Sequence, residues 1–202
     1  MEEVAERLRS YEEYKVRMLL GQYFILWGAA VALANFFATT FYRDLPDWAI
    51  DAVYTVAYTA ASLLNGRIWR QLHALSKVYD ALHGGHYSLV YLIIASFVVF
   101  LVTMWLYIPI AIMAVTALLN LVGAVSYLYY ASLARGGLVV RELLYGALTV
   151  AASGWAALAA NLLQSVALWW ASTAFFAALW IYLGVRLAHV GADTLMRLCH
   201  GD

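Results

Sequence analysis

Two long stretches of this chain, residues 81–134 and 143–185, contain no Asp, Glu, Lys or Arg. A hydrocarbon layer of about 30 Å is crossed by about 20 helical residues rising ~1.5 Å each. Each stretch is therefore too long for one crossing and suited to two. Within lipid every backbone N–H and C=O must be satisfied by the chain itself, which selects helices. Composition agrees with this solvent: 65% of the 202 residues are hydrophobic and 12% charged, against about 45–50% and about 25% in soluble domains. A compact soluble domain of this size cannot hide so much apolar surface. The expected fold is all-α, a polytopic integral membrane protein.

The breaks between crossings follow from local chemistry. Leu106-Tyr107-Ile108-Pro109 supplies an interfacial aromatic and a proline suited to the first turn of a helix. Asn161, Gln164 and Ser165 form a polar break in the second stretch, and Arg43-Asp44-Leu45-Pro46-Asp47 is a charged proline turn between two further apolar runs. Six transmembrane helices in three hairpins result, over residues 18–42, 48–66, 87–106, 109–131, 143–163 and 166–185.

Basic residues set the orientation. Arg7, Arg9, Lys15, Arg17, Arg67, Arg70, Lys77, Arg135, Arg141, Arg186 and Arg197 fall on one side of these spans, and Arg43 alone on the other. Cytoplasmic loops retain Lys and Arg, so both termini are expected in the cytoplasm of a multi-pass cell-membrane protein. The charged start followed by an apolar run without a small-residue cleavage site has the form of an uncleaved signal anchor. A single cysteine, Cys199, leaves no disulfide within the chain. The balance of 12 basic and 12 acidic residues gives no reason to expect nucleic acid as a partner.

Three segments project into the cytoplasm. Residues 1–17 form an amphipathic helix with Val4, Leu8 and Tyr11 on one face, able to continue into the first span. Residues 67–83 follow the second span, and Ile68, Leu72, Leu75, Tyr79 and Leu82 recur there at helical spacing. This stripe suits either an interfacial helix on the headgroups or a docking helix for a cytoplasmic protein. The tail, 186–202, carries a weaker stripe interrupted at Gly191.

Few residues carry chemistry. His83-Gly-Gly-His86, with His73 and Asp80 upstream, is a thin approximation to a metal site; zinc normally fixes three or four ligands, and incidental histidines in a polar loop account for these more simply. Asp51 is the one charged side chain inside a span, near its outer end. With Asn35 and Asn161 it could form an outward-facing polar site. Asn120 lies mid-span, where such residues usually bond between helices. Trp27 and Trp155 lie deep in their spans, as pocket aromatics or as packed or lipid-facing residues.

Small residues repeat at four-residue spacing in Gly28-Ala32, Ala30-Ala34, Ala57-Ala61, Ala152-Ala156-Ala160 and Ala174-Ala178, which permits close helix approach within the bundle or in a homo-oligomer. Val16–Leu20 weakly echoes Val140–Leu144, and Gly28–Asn35 echoes Gly154–Asn161. No phosphate-binding loop, metalloprotease helix, nucleophile elbow or haem-attachment motif occurs, so no catalytic residue or cofactor is assigned. The favoured function is a small permease-like subunit of a transport or translocation system working with a cytoplasmic partner. A non-transporting membrane scaffold or regulatory subunit is the alternative, and a membrane enzyme a weaker one.

Overall fold

In the computed structural model, residues 2–41, 44, 46–83, 109–135 and 137–200 are described. They form five helices: α1 (Glu2–Phe41), α2 (Asp47–His83), α3 (Pro109–Arg135), α4 (Arg141–Leu162) and α5 (Val166–His200). The described chain is all-helical. The expected span 87–106 and His86 lie outside the described residues. Three segments, Arg7–Phe41, Arg141–Leu162 and Val166–Cys199, are long and apolar enough to cross a membrane. Their outward faces carry exposed Phe36, Leu148 and Phe175. Such surfaces drive aggregation in water and are solvated by lipid tails.

Helices α1, α2 and α5 have 40, 37 and 35 residues, roughly 50–60 Å each at 1.5 Å per residue. They therefore outrun the hydrocarbon layer. The divisions expected at 17/18, 66/67 and 185/186 all fall inside unbroken helices, because no proline interrupts them. Gly191 does not break α5 either; it packs against Arg17 and Met18 of α1. Ile68 and Leu72 are buried in the same core cluster as Val16 and Leu20, with Leu75 packed on its edge. That half of the 67–83 stripe is thus used inside the chain.

The centre of the bundle is the antiparallel contact of α1 with α5. A Cβ added to Gly184 would stand 2.6 Å from the Gly21 carbonyl oxygen, and one added to Gly21 would stand 2.8 Å from the Gly184 carbonyl oxygen. Seven residues further along α1, a Cβ on Gly28 would meet the Ala177 carbonyl oxygen at 2.8 Å. Backbone rests on backbone here, which only glycine allows. The same geometry recurs between α3 and α4: a Cβ on Gly123 would meet the Ala147 carbonyl oxygen at 2.8 Å, and one on Gly154 the Thr116 carbonyl oxygen at 3.2 Å. Both pairs repeat every seven residues, the period that keeps one seam facing a partner along slowly supercoiling helices. Sequence pattern emphasises spacings of four; the glycines that touch, Gly21 and Gly184, belong to the spacing of seven.

Tight caps join the helices. At the end of α3, Gly137 takes φ +85°, its N–H bonds the Ala134 carbonyl at 3.0 Å, and Leu138 N–H bonds the Leu133 carbonyl at 2.9 Å. This is a Schellman cap whose two apolar ends, Leu133 and Leu138, are buried together. At the end of α4 the same pattern uses Gln164 at φ 49°, with Ser165 N–H bonding the Ala160 carbonyl at 2.9 Å. Ser165 Oγ then accepts the Leu168 N–H at 3.2 Å and caps α5. The polar break expected at Asn161, Gln164 and Ser165 is this turn.

Gly184→Ala should force α1 and α5 apart and cost about 1–3 kcal/mol by overpacking. Gly66→Ala, where the added methyl meets nothing within 4 Å, should be neutral or stabilising by up to ~1 kcal/mol through helix propensity. Thermal melts of both variants in one detergent check the contrast; equal midpoints would remove the backbone contact from its central place.

Candidate functional site

Two polar centres sit at opposite ends of the α1–α5 seam. Toward the α4–α5 turn, Asn35 is 7% exposed and occupies the next seven-residue step after Gly21 and Gly28. Its Oδ1 accepts hydrogen bonds from Thr173 Oγ1 at 2.9 Å and from the Tyr54 hydroxyl at 3.3 Å. Its Nδ2 donates to the Trp170 carbonyl at 3.4 Å. One carboxamide thereby ties α1, α2 and α5 together, as a buried amide in an apolar medium must to satisfy itself.

The other expected site residues have separate partners. Asn120 of α3 donates from Nδ2 to the Thr116 carbonyl at 2.8 Å and accepts Trp155 Nε1–H of α4 at 3.1 Å. Trp155 is 59% exposed, so its ring lies on the outer surface. Trp27 packs instead against Tyr58 of α2, with ring centroids 6.1 Å apart. Asn161 is exposed in the last turn of α4, where its carbonyl accepts the Gln164 N–H at 2.9 Å. Asp51, His73 and His83 belong to α2, and their side chains lie outside the described set. Among the described residues no group of three or more His, Cys, Asp or Glu could hold a metal ion.

The second centre, at the other end of the seam, is built on Glu142. It is the only acidic residue between Asp80 and Asp193, and it is 6% exposed. Arg186 Nε of α5 lies 3.2 Å from Oε1, and Arg17 Nη1 of α1 lies 3.9 Å from Oε2. Arg17 is held in turn by Glu13, through Nη2 at 2.7 Å and Nε at 2.9 Å, and its Nη2 reaches the Val139 carbonyl at 3.5 Å. Glu142 stands in the first turn of α4, where the helix dipole favours an anion. A buried carboxylate is tolerated when it is paired and hydrogen-bonded. Its isolation in a charge-poor region was the available signal, and Glu142 enters the sequence pattern only through the echo of Val16–Leu20. Arg17, whose counterpart in that echo is Arg141, faces Glu142 across the two helices. The other echo places unlike residues: Asn35 is a buried hub, Asn161 an exposed helix end.

A second buried amide, Asn65 of α2, has an Oδ1 without a hydrogen-bond partner among the described residues. Chemically, the Asn35 and Glu142 centres are mutually satisfied clasps that join helices. Comparison with known proteins returns no match, whether to a family model, to curated proteins or to solved structures.

Glu142→Leu would release Arg186 and leave the mostly buried Arg17 with Glu13 as its one carboxylate partner. A fully buried broken pair costs about 3–5 kcal/mol; the half-exposed Arg186 lowers the expectation to about 2–3 kcal/mol. A double-mutant cycle with Arg17→Met, read by thermal melts, should show coupling of about 1 kcal/mol. Additive single effects would place Arg17 and Glu142 outside a common network.

Proposed function

We propose that this chain is a six-span membrane subunit, with both termini in the cytoplasm, that anchors and positions a cytoplasmic partner as a scaffold or regulatory subunit. The observation that carries this reading is the polar extension of α1, α2 and α5, unbroken, from the same end of the bundle. Such rigid extensions pass a position or a tilt from the bilayer to whatever docks on them. Glu13, Arg17, Glu142 and Arg186 lie at their base and lock α1, α4 and α5 together.

The six-span count draws support from connectivity. Helix α1 runs antiparallel to α2, since Asn35 bonds Tyr54 and Trp27 meets Tyr58, and α3 runs antiparallel to α4, since Gly123 meets Ala147 and Thr116 meets Gly154. The end of α2 and the start of α3 therefore stand at opposite ends of the bundle. Residues 84–108, which join them, are free of Asp, Glu, Lys and Arg. The basic residues that favour the cytoplasm cluster at the end that holds Arg17, Arg141 and Arg186.

A permease-like conducting role has less support. A hydrophilic path needs polar groups aimed into a cavity, whereas Asn35, Tyr54 and Thr173 satisfy one another and Asn120 is satisfied by Thr116 and Trp155. Purification from native membranes in mild detergent separates the readings: a co-purifying peripheral protein without nucleotide hydrolysis supports the scaffold, and a stoichiometric ATPase supports transport. Topology has its own readout. Cys199 is exposed, and a membrane-impermeant maleimide should label it in inside-out vesicles and not in intact cells. Labelling of intact cells would reverse the orientation.

A further inference from the structure

On the face of the α4–α5 pair turned away from α1, each helix presents an arginine with a tyrosine one turn nearer the bilayer centre. On α4 these are Arg141 and Tyr145; on α5 they are Arg186 and Tyr182. Tyr145 and Tyr182 are 49% and 58% exposed, and Arg141 is exposed. The antiparallel pairing fixes their levels. Arg186 bonds Glu142 and Trp180 Nε1–H bonds Thr149 Oγ1, so the two arginines flank one level and the two tyrosines the next.

The charges on this face are not used up within the chain. Arg186 engages Glu142 through Nε, and neither its Nη groups nor the Arg141 guanidinium makes a hydrogen bond or ion pair among the described residues. Glu142 is shared with Arg17, so three arginines here meet the two carboxylates Glu13 and Glu142. The level also matters. Helix α4 has 22 residues from Arg141 to the opposite turn, roughly 33 Å, one hydrocarbon thickness. The arginines thus stand in a headgroup layer, with the tyrosines at the interface where their amphipathic rings are favoured. Above them the exposed face is apolar, with Leu148 of α4 and Phe175 of α5.

We propose that this face binds one anionic phospholipid, its phosphate held by Arg141 and Arg186, its ester region against Tyr145 and Tyr182, and its acyl chains along the apolar groove between α4 and α5. Arginine presents several N–H donors in a planar fork that matches phosphate oxygens, and basic pockets between membrane helices select such headgroups. A zwitterionic lipid brings a cation to the same arginines and is disfavoured. The site stands apart from the scaffold reading, since it needs only that α4 and α5 lie in a bilayer; the orientation decides which leaflet supplies the lipid.

Native mass spectrometry of the purified protein, titrated with phosphatidylglycerol or with phosphatidylcholine of the same acyl chains, tests it. The wild type should retain one phosphatidylglycerol in clear preference. Each arginine near an anionic headgroup is worth about fivefold in affinity, so Arg141→Gln should lower retention about fivefold, and Arg141→Gln with Arg186→Gln should abolish the preference. Arg197→Gln, in the tail, should leave it unchanged. Because Arg186 also holds Glu142, Arg141→Gln and Tyr182→Leu provide arms that spare the ion network. Equal retention of the two lipids by the wild type, or undiminished preference in Arg141→Gln, would overturn the proposal. Competition by millimolar glycerol phosphate would reassign the site to a free phosphate.

Discussion

Everything in this bundle depends on how closely α1 and α5 approach. With Gly21 against Gly184 and Gly28 against Ala177, the two backbones touch, and the side chains on either side of the seam are drawn into contact. In lipid there is no hydrophobic force between apolar helices, so association rests on packing and on hydrogen bonds. A seam of glycines maximises the first. It also brings Asn35 within reach of Thr173 and the Trp170 carbonyl, which supplies the second.

The two polar centres then mark the ends of that seam. Near the α4–α5 turn a neutral amide network holds α1, α2 and α5. At the other end an ion network holds α1, α4 and α5, with the buried Glu142 at its centre. The division is physical: charged groups are tolerated at the edge of the hydrocarbon, where side chains reach water and headgroups, and neutral amides deeper in. The loop from α3 to α4 closes the charged end, burying Leu138 and Val140 in the core and placing the Val139 carbonyl before Arg17. Beyond this level α1, α2 and α5 continue as unbroken helical extensions, the feature on which the proposed scaffold role rests.

Much of the helical organisation was legible in the residues. The turn at Gln164 and Ser165, the proline-bearing turn after Phe41 and the polar extension of the first helix all have local causes: a capping hydroxyl, a missing N–H, or charges that cannot enter lipid. The candidate sites were less legible. Asn35, Asn120 and Asn161 look alike as amides in apolar runs, yet one is a three-helix hub, one tethers a surface tryptophan and one ends a helix. Trp27 and Trp155 share a depth and not a surface. Glu142 stands out in the sequence only by its isolation, because its partners Arg17 and Arg186 are distant along the chain.

The residues alone determine the solvent and where the apolar stretches lie, because the absence of charge over long stretches is a local property and the transfer of apolar surface to lipid needs no partner. Tertiary structure alone decides which face of each helix is used. The seven-residue spacing of Gly21 and Gly28 acquires meaning only when Gly184 is opposite, and the pairing of Arg17 with Glu142 exists only once α1 lies against the start of α4. Close packing and ion pairing act over a few ångströms between elements far apart in the chain, and no local pattern encodes that distance.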